Sequence, residues 1–183
     1  MEGYERLSGD IACIDTYQHS SGMAACYLVG TDGHYAFVES GTSLSVPHVM
    51  KVLAELGVAR GARHMIDPSK LIAGATAAYG PDIVRATYGE ILPVPESRVI
   101  VADVAADRDF TLDLGSRRLL FIDSPGHARH HYAIWDEATR GWFSGDIFGV
   151  SYREFDDDGR GYMVPTTTPV QFDPEAWEAS LAR

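Results

Sequence analysis

Between Phe110 and Ser144 the chain alternates short β-rich runs with turn residues, and this rhythm limits the fold more than any other stretch. The runs are Phe110–Leu114, Leu119–Asp123, His131–Trp135 and Gly141–Ser144, with Arg98–Val104 ahead of them. Each is too short for a stable helix and rich in the β-branched and aromatic residues that suit a pleated surface. Gly115-Ser116 and Glu137–Gly141 separate them as turns, so Asp113–Arg117 reads as a hairpin.

The first half reads differently. Ala24–Val29 and Tyr35–Glu39 flank the turn Gly30-Thr31-Asp32-Gly33, which predicts a β-hairpin. Ser45 is placed as an N-cap, and Val46, Val49, Met50, Leu53 and Leu56 recur at helical spacing up to Gly57. A second helix is expected from Asp67-Pro68 to Tyr79, a short one over Asp82–Tyr88, and a last one opened by Asp173-Pro174-Glu175. Strand runs interleaved with helices predict an α/β (α+β mixed) chain, a mixed sheet covered by helices, in a single domain over 1–183.

Composition narrows the function. At 183 residues the chain can bury a sizeable core, and 45% hydrophobic with 22% charged residues is ordinary for a globular protein. A formal net charge of -11 opposes docking on nucleic-acid phosphates or an anionic membrane. Cys13 and Cys26 form no Cys-x-x-Cys, Met1–Arg6 lacks the basic start and apolar stretch of a signal peptide, and no run reaches membrane-span length. A cytoplasmic chain with reduced thiols is expected. The run Asp156-Asp157-Asp158-Gly159 lacks the later acidic ligands of a Ca²⁺ loop and predicts a solvated turn.

Two short segments carry the chemistry. Ser124-Pro125-Gly126-His127-Ala128-Arg129-His130-His131 follows one β-run, and Phe143-Ser144-Gly145-Asp146 ends another. Imidazole and carboxylate are ligands that zinc accepts, and a zinc-bound water becomes a hydroxide near neutral pH. Loops at strand ends are where such groups commonly sit.

The first segment resembles the Thr-Pro-Gly-His-Thr-x-Gly-His segment of the metallo-β-lactamase-fold hydrolases, and the second resembles their Phe-x-Gly-Asp. The opening hairpin, Cys26–Gly30 then Phe37-Val38-Glu39-Ser40-Gly41, resembles that family's start, with Glu39-Ser40-Gly41 in place of Asp-Thr-Gly. The resemblance spans roughly residues 10 to 180 and implies an αββα sandwich. It implies that His127 is a ligand of one zinc ion, that Asp146 bridges two, and that His131 supports from behind. It also implies metal-dependent hydrolysis of a small-molecule ester, thioester, lactam or phosphoester.

One family motif is missing. No H-x-H-x-D-H occurs in the sequence, and the chain passes from Gly57-Val58 straight to Ala59–Asp67. The expectation is an internal deletion near 58–61 and a C-terminal shortening before the family's last ligand His. His64 reads as a surface or capping residue, and His19, His34 and His48 carry no ligand spacing. With two expected ligands left and zinc needing three or more, hydrolysis is expected to be weak or lost. The alternatives are a non-catalytic module that binds a small ligand or a protein, and a one-metal enzyme recruiting His131 or His19. Pairing of two copies would cover sheet surface exposed by the deletion.

Overall fold

The computed structural model describes residues 3–56, 69–90, 102, 104–168 and 171–183. The expected join near 58–61, His64 and the start of the second helix lie outside these residues, as does the Arg98–Val104 run apart from residues 102 and 104. The chain forms two compact units, Met1–Val101 and Ala102–Arg183, and each is described by itself.

The first unit opens with four antiparallel strands in the order β1 (Tyr4–Arg6), β2 (Ile11–Asp15), β3 (Ala25–Thr31) and β4 (His34–Val38). β3 and β4 are the expected hairpin. β1 and β2 were not foreseen, since Ile-Ala-Cys-Ile-Asp shows no clean alternation. The register sets Ile14 opposite Cys26, Ala12 opposite Leu28 and Leu28 opposite Phe37. Alternate residues share a face, so these side chains make one apolar surface.

Helix α1 (Val46–Glu55) lays Val49, Val52, Leu53 and Leu56 on that surface. Their spacing places them on one stripe of the helix. Ile14, Cys26, Val52 and Leu53 are almost wholly buried, and burial holds the Cys26 thiol up at about 11. Ser45 precedes α1 as expected, and its hydroxyl ties the helix start to the sheet by donating to the Thr16 carbonyl at 2.7 Å. Helices α2 (Ser69–Tyr79) and α3 (Pro81–Tyr88) follow.

The second unit is a second antiparallel meander, β5 (Phe110–Leu114), β6 (Arg117–Asp123), β7 (Tyr132–Asp136) and β8 (Gly141–Phe143). The β-run placed at His131 begins one residue later. His130 and His131 belong to the turn before it, closed by the His131 N–H on the Ala128 carbonyl at 3.2 Å. Asp136 ends β7 fully buried and pairs with the buried Arg117 that opens β6, Arg117 Nε donating to Asp136 Oδ1 at 2.9 Å. Asp136 also accepts from Thr139 Oγ1 at 2.5 Å and from the Ala138 N–H at 3.2 Å, so it closes the β7–β8 turn.

The acidic run forms an exposed tight turn, with Asp157 and Arg160 exchanging backbone hydrogen bonds at 3.1 and 2.8 Å. Helix α4 (Pro174–Ala182) starts as its cap predicts, Asp173 Oδ1 accepting from the Ala176 N–H at 3.1 Å. Among the described residues no helix is long and apolar enough to cross a membrane.

Candidate metal centre

Antiparallel pairing decides where the site forms. β6 ends at Asp123, β7 starts at Tyr132, and Ile134 pairs with Phe143 at the end of β8. The loop after β6 and the turn after β8 therefore emerge at the same edge of the sheet. The first carries His127 and the second, a 3₁₀ turn over Gly145–Ile147, carries Asp146. The two residues singled out in the sequence are thereby brought together: His127 Nε2 lies 3.4 Å from Asp146 Oδ2. The His127 side chain is 14% exposed and that of Asp146 63%, so the imidazole is the floor and the carboxylate the rim.

The hydrogen bonds assign the ring nitrogens. His127 Nδ1 lies 3.3 Å from the Thr166 carbonyl oxygen, which only accepts, so Nδ1 carries the proton. In the neutral ring Nε2 then presents a lone pair to a carboxylate oxygen. Two acceptors facing each other repel unless a proton or a cation lies between them.

His131 stands behind the pair. Its Nε2 accepts the Asp146 backbone N–H at 3.2 Å, which leaves the proton on the buried Nδ1. Burial holds the His131 imidazole below its ordinary pKa, His127 adds to this and Asp146 opposes it. The ring is within reach because residue 145 is glycine at φ +53; a Cβ there would stand 2.8 Å from His131 Nε2.

Helix α4 braces the loops from outside. Trp177 Nε1 donates to the Ile147 carbonyl at 2.5 Å, Ser180 Oγ donates to the Pro125 carbonyl at 2.6 Å, and the Asp173 N–H donates to the Gly126 carbonyl at 2.8 Å. Thr168 Oγ1 donates to the His127 carbonyl at 2.6 Å, and Thr166 Oγ1 donates to the Asp146 carbonyl. None of these supports was foreseen. Thr166-Thr167-Thr168 has no spacing that marks it, and tryptophan in a C-terminal helix reads as plain packing.

The geometry fits part of a zinc site. At zinc bond lengths of about 2.0–2.1 Å, two corners of a tetrahedron are about 3.3–3.4 Å apart. His127 Nε2 and Asp146 Oδ2 match two such corners. His131 offers neither nitrogen, one being engaged with the Asp146 amide and the other protonated. Among the described residues no group of three or more His, Cys, Asp or Glu is placed to hold a metal ion. His19 and His48 belong to the first unit.

Comparison with known proteins bears on the family and the fold. A family model described as the metallo-beta-lactamase superfamily matches residues 52–183. The chain is 35% identical over 83 residues to the metallo-beta-lactamase fold-containing protein ST1585 of Sulfurisphaera tokodaii. That stretch is 45% of this chain and 27% of the relative, so the match spans about a quarter of the relative's length.

A solved structure of ST1585 from Sulfolobus tokodaii, described as an archaeal metallo-beta-lactamase superfamily protein, superimposes with a TM-score of 0.61 at 23% identity, covering 88% of this chain and 69% of that one. A metallo-beta-lactamase from Pontibacter korlensis superimposes with a TM-score of 0.53 at 12% identity, covering 98% and 83%. At such identities the likeness concerns the fold, which is the class expected from the sequence. A family match over residues 52–183, in a chain of two antiparallel sheets with helices, makes this protein a member of the metallo-β-lactamase superfamily.

Proposed function

We propose that the chain is a metallo-hydrolase-like protein holding half of the superfamily's metal centre. The parent chemistry is zinc-dependent hydrolysis of a small-molecule ester, thioester, lactam or phosphoester. The observation that supports this most directly is the 3.4 Å approach of His127 Nε2 to Asp146 Oδ2, two acceptors at the separation one zinc ion would bridge. When bound, zinc would supply a nucleophilic hydroxide and polarise the scissile bond. The chain's own contribution is to hold the two donors: His127 by its Nδ1–H bond to Thr166, Asp146 by the His131 ring at its amide.

Among the described residues two protein donors meet, fewer than a lasting zinc site requires. The purified chain with added Zn²⁺ or Mn²⁺ is therefore expected to hydrolyse generic ester, thioester, lactam and phosphoester substrates within about tenfold of the metal-only background. Robust turnover that Asp146→Ala abolishes would overturn the expectation of lost activity. It would mean that other residues of the chain complete the site.

A further inference from the structure

We infer that the segment Thr166–Thr168 is the positioning strap of this site, setting both the tautomer of His127 and the placement of Asp146. The inference rests on reading the pair as a metal half-site. Thr166 touches both candidate ligands, which come from different loops. Its carbonyl accepts the His127 Nδ1–H at 3.3 Å, and its hydroxyl donates to the Asp146 carbonyl. Two residues on, Thr168 Oγ1 donates to the His127 carbonyl at 2.6 Å. The strap is fixed upstream by a two-way backbone bridge, Val150 N–H to the Val164 carbonyl at 2.9 Å and Val164 N–H to the Val150 carbonyl at 2.8 Å.

The chemistry needs such a device. An imidazole can coordinate through Nε2 only if its proton is kept on Nδ1, and the usual device is an acceptor behind Nδ1. Here that acceptor is a backbone carbonyl, so its position depends on how the strap is tied. The threonine hydroxyls are the ties. Without them the carbonyl is free to drift from Nδ1, the proton can move to Nε2, and the coordinating lone pair is lost. Asp146 loses the bond that fixes its backbone at the same time. A purely structural role for the threonines would alter stability and leave the tautomer alone.

The test compares the wild-type chain with Thr166→Val/Thr168→Val and with Thr166→Ser/Thr168→Ser, each checked for folding by circular dichroism. Ring ¹⁵N NMR on metal-free protein reads the tautomer. The wild type and the serine variant are expected to keep a proton on His127 Nδ1, whether or not Nε2 also carries one toward Asp146, and the valine variant to show a share of rings protonated at Nε2 alone. Titration with Co²⁺ alone is expected to show about tenfold weaker binding in the valine variant, restored by serine. A valine variant with the wild-type tautomer and wild-type cobalt affinity would overturn the inference. If no variant binds cobalt but the tautomer shifts as stated, the half-site reading fails and the strap stands.

Discussion

Asp136→Ala is expected to destabilise the second unit by about 3–5 kcal/mol, the usual cost of removing one partner from a buried ion pair. Arg117 and Asp136 have side chains 3% and 0% exposed, so the guanidinium would lose its carboxylate in a place water does not reach. The Thr139 hydroxyl and the Ala138 N–H would lose their acceptor too. Arg117→Met/Asp136→Leu is expected to lie closer to the wild type, because the uncompensated charge is gone.

Urea unfolding followed by tryptophan fluorescence measures this well, since all three tryptophans lie in the second unit. A cost below about 1 kcal/mol for Asp136→Ala would place the pair among surface ion pairs and contradict its burial. The pH dependence follows from the same contacts. Burial raises the Asp136 carboxyl, but hydrogen bonds from Arg117 and Thr139 outweigh it and hold the group below its ordinary value. A depressed carboxylate stabilises above its unfolded pKa of about 3.9. That contribution is lost as pH falls through the lower folded pKa, and Asp136→Asn is expected to flatten this acid limb.

Gly126→Ala is expected to be the most damaging substitution near the site. Gly126 has φ +133, and a Cβ built there would lie 2.3 Å from the Trp177 Cα, a backbone atom that cannot swing aside. Strain at that φ and the forced shift of α4 together are expected to cost about 2–5 kcal/mol. Moving α4 also pulls on the Trp177 bond to Ile147 and the Ser180 bond to Pro125, so the His127 loop and the Asp146 turn separate.

Gly22→Ala is the control. Gly22 also has positive φ, +79, but open space around its Cβ, and about 1–2 kcal/mol is expected from backbone strain alone. Equal costs at the two positions, measured by thermal unfolding, would show that the close approach of Trp177 to Gly126 is not what limits residue 126.

The sequence made the local pieces readable and left their mutual support hidden. The β3–β4 hairpin, α1 with its apolar stripe, the last four strands and the Asp173-Pro174 start of α4 all follow from short-range rules of turn, period and cap. β1 and β2 escaped because pairing with β3 gives Ile11–Asp15 its strand character. His127 and Asp146 were singled out because Pro-Gly-His and Gly-Asp resemble family segments at strand ends, and the structure brings the two side chains within 3.4 Å.

The strap and the brace were not legible. A threonine hydroxyl on a carbonyl 41 residues away in sequence, as for Thr168 and His127, leaves no pattern in the chain. The Arg117–Asp136 pair was missed for the same reason. Each residue alone reads as a surface charge beside a turn, and their burial exists only once β6 and β7 are paired.

Zinc stoichiometry of the purified chain decides whether His127 and Asp146 form only half a metal site. At most about one zinc per chain is expected, removable by desalting and lost altogether in His127→Ala and Asp146→Ala, because the two donors brought together among the described residues hold zinc weakly. Two zinc ions per chain, retained through desalting, would contradict it.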